Sequence, residues 1–183
     1  LYVFNFKDPL LGRWPSRDGR MQIEEWGMKW VPILGKVQMP DTMEELKELA
    51  DVLAKYPQVF VVADEIYEHI SYVGKHESIA QFEEIRERVI IINGVSKAYA
   101  MTGWRIGYLA AAEWIVKGCN KLQGQYTSGP CSVSQMASLE AYTGSQEPVE
   151  EMRQAFQRRR DLIVKLAKEI PGLEVNVPEG AFY

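Results

Sequence analysis

Four β-branched residues in a row, Val89-Ile90-Ile91-Ile92, constrain this chain more than any other stretch. A run of that kind, with no polar alternation, suits a strand buried on both faces, as in parallel sheets covered by helices on either side. It leads into Asn93-Gly94-Val95-Ser96-Lys97 and on to Arg105. In open α/β sheets ligands bind beyond the carboxyl ends of the strands. A lysine at such a place is a candidate for imine chemistry. Ser96 and Arg105 suit a phosphate, one through a hydroxyl and the other through a planar cationic fork.

A second strand end completes the pattern. Residues 58–63 read as a buried strand and run directly into Asp64-Glu65-Ile66-Tyr67. Before it, Asp41-Thr42-Met43-Glu44 has the form of a capping box, and Met43, Leu46, Leu49, Ala50 and Leu53 recur at helical spacing. Tyr56-Pro57 ends that helix. A short helix carrying Ile79, Phe82 and Ile85 separates the two strands. Helix, strand, helix, strand is the α/β order that builds a parallel sheet.

Beyond Gly103, residues 104–111 read as a further strand. A helix follows from Glu113 to about Gln125, with Trp114, Ile115, Cys119 and Leu122 on one side. Residues 132–142 form the next helix, closed by Thr143-Gly144. Pro148 sits in the first turn of a long helix, where its missing N–H costs nothing. Val149, Met152, Phe156, Ile163 and Leu166 form that helix's apolar stripe, and Arg158-Arg159-Arg160 its solvated side. After Pro171-Gly172, the alternation of Leu173, Val175 and Val177 with Glu174 and Asn176 suggests a half-exposed strand, the first of a smaller domain.

Residues 1–40 differ from the rest. They hold three of the five tryptophans and four of the nine prolines, and no helical or alternating period runs through them. Residues 8–18, Asp-Pro-Leu-Leu-Gly-Arg-Trp-Pro-Ser-Arg-Asp, resemble a signature in the core of rearrangement-hotspot (YD-repeat) proteins. That resemblance leaves two readings, a recruited module or a foreign leader. The domain division expected from sequence is therefore a leader at 1–40, a partial large domain at 41–145, and the start of a small domain at 146–183.

Composition narrows the function classes. The chain has 183 residues, a net charge of −4 and both signs dispersed, which leaves no basic footprint for nucleic acid and no polybasic membrane patch. Cys119 and Cys131 show no metal-ligand spacing and fit a reduced, cytoplasmic setting. His69 and His76 lack a third ligand, so no metal site is expected.

Pyridoxal phosphate accounts for the polar set economically. It needs a lysine for the imine, an acid against its pyridinium nitrogen, a donor near its phenolic oxygen and a cradle for its phosphate. Lys97, Asp64, Tyr67, and Ser96 with Arg105 fill those needs. Here the chain resembles the fold-type I pyridoxal-phosphate enzymes, in particular the aspartate-aminotransferase-like class I/II aminotransferases, over about residues 44–183. The resemblance is carried by Val62-Ala63-Asp64-Glu65-Ile66-Tyr67, by Gly94-Val95-Ser96-Lys97 through Thr102-Gly103-Trp104-Arg105-Ile106-Gly107-Tyr108, and by Pro178-Glu179-Gly180-Ala181-Phe182-Tyr183.

The resemblance implies an α/β fold: a partial three-layer αβα large domain with the start of the small C-terminal domain. It implies that Lys97 is catalytic, forming the internal aldimine and then shuttling a proton. It implies that Asp64, Tyr67, Ser96, Arg105 and, across a homodimer interface, Ser128 bind the cofactor. The implied activity is ping-pong transfer of an amino group between an amino acid and a 2-oxo acid.

Departures from the pattern bear on the activity. The family's Asn-Pro-[Thr/Ser]-Gly element is absent from Gly35-Lys36-Val37-Gln38-Met39-Pro40-Asp41-Thr42-Met43, and with it the asparagine that supports the phenolic oxygen. Some members carry a phosphate-binding serine where this chain has Gly94. Both ends read as fragment ends of a chain covering roughly half a family subunit, without the stacking aromatic or the small-domain arginine that grips the substrate carboxylate. Two further readings therefore stand beside the aminotransferase. One is a non-catalytic remnant that at most binds cofactor or a partner. The other is a different fold-type I enzyme, such as a C–S lyase.

Overall fold

The computed structural model describes residues 2–6, 28–30 and 43–182. Its helices are α1 (Met43–Ala54), α2 (Glu83–Arg86), α3 (Glu113–Tyr126), α4 (Ser132–Thr143) and α5 (Glu147–Lys168). Its strands are β1 (Tyr2–Phe6), β2 (Met28–Trp30), β3 (Val59–Asp64), β4 (Val89–Gly94) and β5 (Gly107–Ala110). The strand order in the sheet is β2-β1-β3-β4-β5. β3 and β4 run parallel, with Val61 opposite Val89 and Asp64 opposite Ile92. β1 lies antiparallel on the other edge of β3, with Tyr2 opposite Val62 and Phe4 opposite Phe60. Residues 8–18 and the Asp41 cap position lie outside the described residues.

The chain forms two compact units. The first comprises residues 1–64, 77–92 and 109–122; the second comprises 65–76, 93–108 and 123–183.

In the first unit, the α1 stripe meets β3, β4 and the short segment between them. Leu46, Ala50, Leu53, Val59, Val61, Ala63, Ile79, Phe82, Ile85 and Val89 form one buried cluster. Full burial of a side chain such as Val61 or Ile85 stabilises by about 1.5–3 kcal/mol. Met43, expected on the stripe, is exposed at the helix start. The segment expected as one short helix is a 3-10 turn, Ile79–Gln81, followed by α2, and the Ser78 hydroxyl accepts the Ala80 N–H at its start. Ile79, Phe82 and Ile85 are all buried, as the spacing predicts.

Arg88 ties the edge of this core together. Its guanidinium donates to the carbonyls of Leu53 at 3.2 Å and Tyr56 at 3.0 Å, and to that of Val59. The first two carbonyls also accept backbone N–H groups in the turn that ends α1, Leu53 from Tyr56 and Tyr56 from Val59, each at 3.0 Å, so the guanidinium takes their second lone pairs. On α3, Ile115 is buried as expected, but Trp114 and Leu122 are exposed. Trp114 makes an edge contact with the Phe60 ring at 5.8 Å.

In the second unit, α5 begins with Pro148 in its first turn, as expected. Its inner face differs from the predicted stripe. Val149 and Val164 are buried, whereas Ile163 and Leu166 are exposed. Arg160, expected on the solvated side, turns inward: its side chain is 13% exposed. It donates to the Pro178 carbonyl and lies 4.7 Å over the Tyr72 ring. The stem of an arginine can cover apolar surface while its head finds acceptors, so position 160 takes a place in the helix face that a hydrophobicity pattern reads as polar.

Two expected strands are not as predicted. Residues 102–104 form a 3-10 turn and Arg105 is left-handed (φ 56°), so β5 starts only at Gly107. Leu173 to Val177 forms no ladder; the extended tail pairs only through the Ser71–Gly180 bridge.

Candidate active site

The loop after β4 is held by its own backbone. The Asn93 side chain accepts the Gly94 N–H at 2.7 Å. Ala100 N–H bonds to the Lys97 carbonyl at 3.1 Å, Met101 N–H to the Val95 carbonyl at 3.4 Å, and Trp104 N–H to the Met101 carbonyl at 3.2 Å. Ala100 (φ 53°) and Arg105 (φ 56°) both sit in the left-handed region that residues with a Cβ avoid. Two such residues within six mark a loop whose course is imposed by its surroundings. Val95 and Ala98 are buried anchors, which leaves Ser96 and Lys97 half-buried between them.

Gly94 is required here. A Cβ at this position would stand 2.8 Å from the Ile106 carbonyl oxygen and 2.9 Å from the Gly107 Cα, both backbone atoms that cannot swing aside. The serine that some family members carry at this place therefore has no room in this chain.

Lys97 lies among aromatic rings. Its Nζ is 5.7 Å from the Tyr67 ring centre and 5.4 Å from that of Phe182. Tyr67 is set by the turn after β3, in which Glu68 N–H bonds to the Glu65 carbonyl and Ile70 N–H to the Tyr67 carbonyl. Arg105 is exposed and donates one guanidinium N–H to the Thr102 carbonyl at 2.9 Å. A guanidinium has five donors in a fixed fork, so the others can still take an anion. Ser128, also exposed, occupies a left-handed position (φ 62°) between α3 and α4.

The structure thus brings Lys97 and Tyr67 together in the second unit, where Ser96, Arg105 and Ser128 also lie. Asp64 belongs to the first unit, as the exposed last residue of β3. Its neighbour Glu65 is buried, with His76 Nε2 at 3.3 Å, and Glu68 pairs with His69 at 3.2 Å. Among the described residues no group of three or more His, Cys, Asp or Glu side chains is placed to hold a metal ion.

Several neighbours escape sequence reasoning. Phe182 is one. Another is the ring series His69–Tyr99–Tyr142–Tyr108, with successive centroids 5.9, 5.2 and 6.0 Å apart. Tyr99 also donates to the Gln146 side chain at 3.0 Å, fixing the loop two residues past Lys97. Burial pushes the Tyr99 and Tyr142 phenols up from their ordinary value. The signal available was composition alone, because nothing in the spacing of these tyrosines announces that they meet.

The donor set can be tested against a phosphorylated aldehyde. Such a ligand needs an amine at a strand end, and a hydroxyl and a guanidinium for the phosphate. Lys97, Ser96 and Arg105 carry those groups, and the chemistry of this donor set fits the ligand.

Comparison with known proteins shows the family. The sequence profile for aminotransferases of class I and II matches residues 41–183, and the chain belongs to that family. Over 144 residues it is 49% identical to an aspartate aminotransferase of Geobacillus stearothermophilus, covering 78% of this chain and 36% of that protein. Over 145 residues it is 46% identical to a probable aspartate/prephenate aminotransferase of Rhizobium leguminosarum bv. phaseoli, again covering 78% and 36%. Among solved structures, the aspartate aminotransferase of Rhizobium meliloti superposes with a TM-score of 0.75 at 43% identity, covering 76% of this chain and 36% of that one. A Thermus thermophilus aspartate aminotransferase variant gives 0.71 at 37%.

The fold is therefore part of the large domain of the fold-type I pyridoxal-phosphate transferases, a family that uses that cofactor. The chain spans about a third of the length of these relatives, 36%, and not the half expected from sequence. Residues 1–40 lie outside the matched region.

Proposed function

We propose that this chain is the cofactor-binding segment of a pyridoxal-phosphate-dependent aminotransferase that moves an amino group between an amino acid and a 2-oxo acid. The observation that carries the reading is Lys97, half-buried just beyond the end of a parallel strand, with its amine against the Tyr67 ring. When bound, the cofactor supplies an electron sink for the substrate's α-carbon.

Each residue then has one task. Lys97 holds the cofactor covalently and, once freed, moves a proton at Nζ. Asp64 opposes the pyridinium nitrogen and keeps it protonated. The Tyr67 hydroxyl donates to the phenolic oxygen. Ser96 and Arg105 hold the phosphate, the second as a fixed fork. Ser128 contributes across a homodimer interface. The Geobacillus and Rhizobium relatives are both named for aspartate, which makes it the first amino donor to test. A cytoplasmic setting accords with free Cys119 and Cys131, and no helix among the described residues is long and apolar enough to cross a membrane.

The test is spectroscopic. The purified chain is mixed with pyridoxal phosphate, then with aspartate, with Lys97→Ala as control. A lysine-dependent absorbance that bleaches with aspartate supports the transferase. A lysine-dependent absorbance indifferent to every amino acid supports the binding-only reading, which the missing asparagine in residues 35–43 favours. No lysine-dependent signal sinks both.

A further inference from the structure

We propose that Phe182 is a positioning residue for Lys97, closing a two-sided aromatic clamp whose other side is Tyr67. The inference rests on the reading of Lys97 as the cofactor-bearing lysine. The Phe182 ring stands at the centre of a small cluster. It is 5.4 Å from Lys97 Nζ, meets Tyr67 edge-on at 5.4 Å and 78°, and stacks on Phe156 of α5 at 5.4 Å and 29°. A lysine side chain has four rotatable bonds and a strongly hydrated head. Two ring faces attract that head electrostatically and restrict where the freed amine can go.

The backbone is built to aim this ring. The tail is stitched to the segment after Tyr67 by the Tyr72 N–H to Glu179 carbonyl bond and the Ala181 N–H to Ile70 carbonyl bond, each 2.8 Å. The Tyr72 hydroxyl also donates to the Ala181 carbonyl. At Gly180 a Cβ would stand 2.9 Å from the Ile70 carbonyl oxygen. Ala181 then takes a left-handed conformation (φ 59°), rare for a residue with a Cβ. This turn sends the next side chain toward Lys97. Phe182 is also 46% exposed, because its outer side borders a cleft of about 340 Å³ shared with Phe156 and Ile163. Its position is therefore set by the turn and the rings more than by burial.

The experiment uses the full chain without cofactor. Trace acetic anhydride labels its lysines, and peptide mass spectrometry gives Lys97 labelling relative to the exposed Lys121 as internal standard. Phe182→Leu keeps apolar bulk and removes the ring. It should raise relative Lys97 labelling about fivefold, the ratio equivalent to a cation–ring attraction of about 1 kcal/mol. Phe182→Tyr should stay within about twofold of the unsubstituted chain. Ala181→Val keeps the ring but disfavours the left-handed turn, and should follow Phe182→Leu.

Circular dichroism confirms that each variant is folded. Unchanged labelling in Phe182→Leu would overturn the proposal. So would an equal rise in Phe182→Tyr, which would mean loosening of the tail and not loss of a ring. Labelling is read without cofactor, so it stands apart from the functional reading, which fails separately if the unsubstituted chain takes up no pyridoxal phosphate on Lys97.

Discussion

The amine of Lys97 and the ring of Tyr67 lie 5.7 Å apart, although one follows β4 and the other follows β3. A strand-end lysine alone is an ordinary surface group. Its contact with a tyrosine from a second strand end converts it into part of a site. The backbones of both residues are fixed by hydrogen bonds in short turns, which sets where the two side chains start.

Gly94 is the most sensitive backbone position near that lysine. Gly94→Ala forces a methyl group against the Ile106 carbonyl and the Gly107 Cα. Overpacking of this kind costs about 1–3 kcal/mol. Uptake of pyridoxal phosphate on Lys97, followed by absorbance titration, should weaken by about tenfold or more. Ala98→Gly, in the same loop, should cost stability without that selective loss.

Arg88 links the end of α1 to the start of β3 through three carbonyls. Arg88→Met keeps much of the stem and removes the donors. Hydrogen bonds to a charged group contribute about 1.5–3 kcal/mol. Urea unfolding followed by far-ultraviolet circular dichroism should show a loss of about that size. Lys55→Met, on an exposed side chain, should change little.

Acid should loosen the start of α5. Hydrogen bonds from Arg153 and then Gln154 hold the Glu150 carboxyl down at about 2, from an ordinary value of 4.5. A carboxyl depressed in the folded state contributes stability above its unfolded value and loses it as pH falls toward the folded one. The contribution is thus complete above about 4.5 and fades between about 4.5 and 2. Glu150→Gln should flatten the thermal-stability profile in that window by lowering the plateau above about 4.5 toward the acid level, by a small amount because the pair is solvent-exposed, and should leave the most acid end unchanged.

The pairing of β1 with β3 gives a register-specific prediction. Val61 N–H bonds to the Arg88 carbonyl at 2.9 Å, so it points toward β4. Backbone groups alternate sides along a strand, which directs Phe60 and Val62 toward Phe4 and Tyr2 of β1. Deleting residues 1–6 should accelerate amide exchange at Phe60 and Val62 by about tenfold or more while sparing Val61.

Much of this was legible because apolar runs mark β3 and β4, although burial on both faces is not what the structure shows: Val59, Val61 and Ala63 are buried but Phe60 and Val62 only half-buried, and Ile90, Ile91 and Ile92 of β4 are half-buried. Lys97 and Tyr67 follow those runs directly, so their nearness could be expected. The inner face of α5 was not legible beyond Phe156. It continues through Arg160 and Val164, and an arginine whose stem packs inward reads as polar. The apolar stretch from Trp104 looked like one strand because hydrophobicity carries no record of the left-handed turn at Arg105. β1 left no signal, since its pairing is set by the open edge of β3 and not by a period of its own. Phe182 was visible as part of a motif, but its contact with Lys97 joins segments far apart in sequence, which local spacing cannot encode.

The most direct test of the account is chemical mapping of the lysine. The chain is incubated with pyridoxal phosphate, reduced with borohydride, digested and analysed by mass spectrometry. One dominant adduct is expected, on Lys97, lost in Lys97→Ala and weakened by Arg105→Ala. Adducts spread over the exposed lysines with no preference for Lys97 would contradict it.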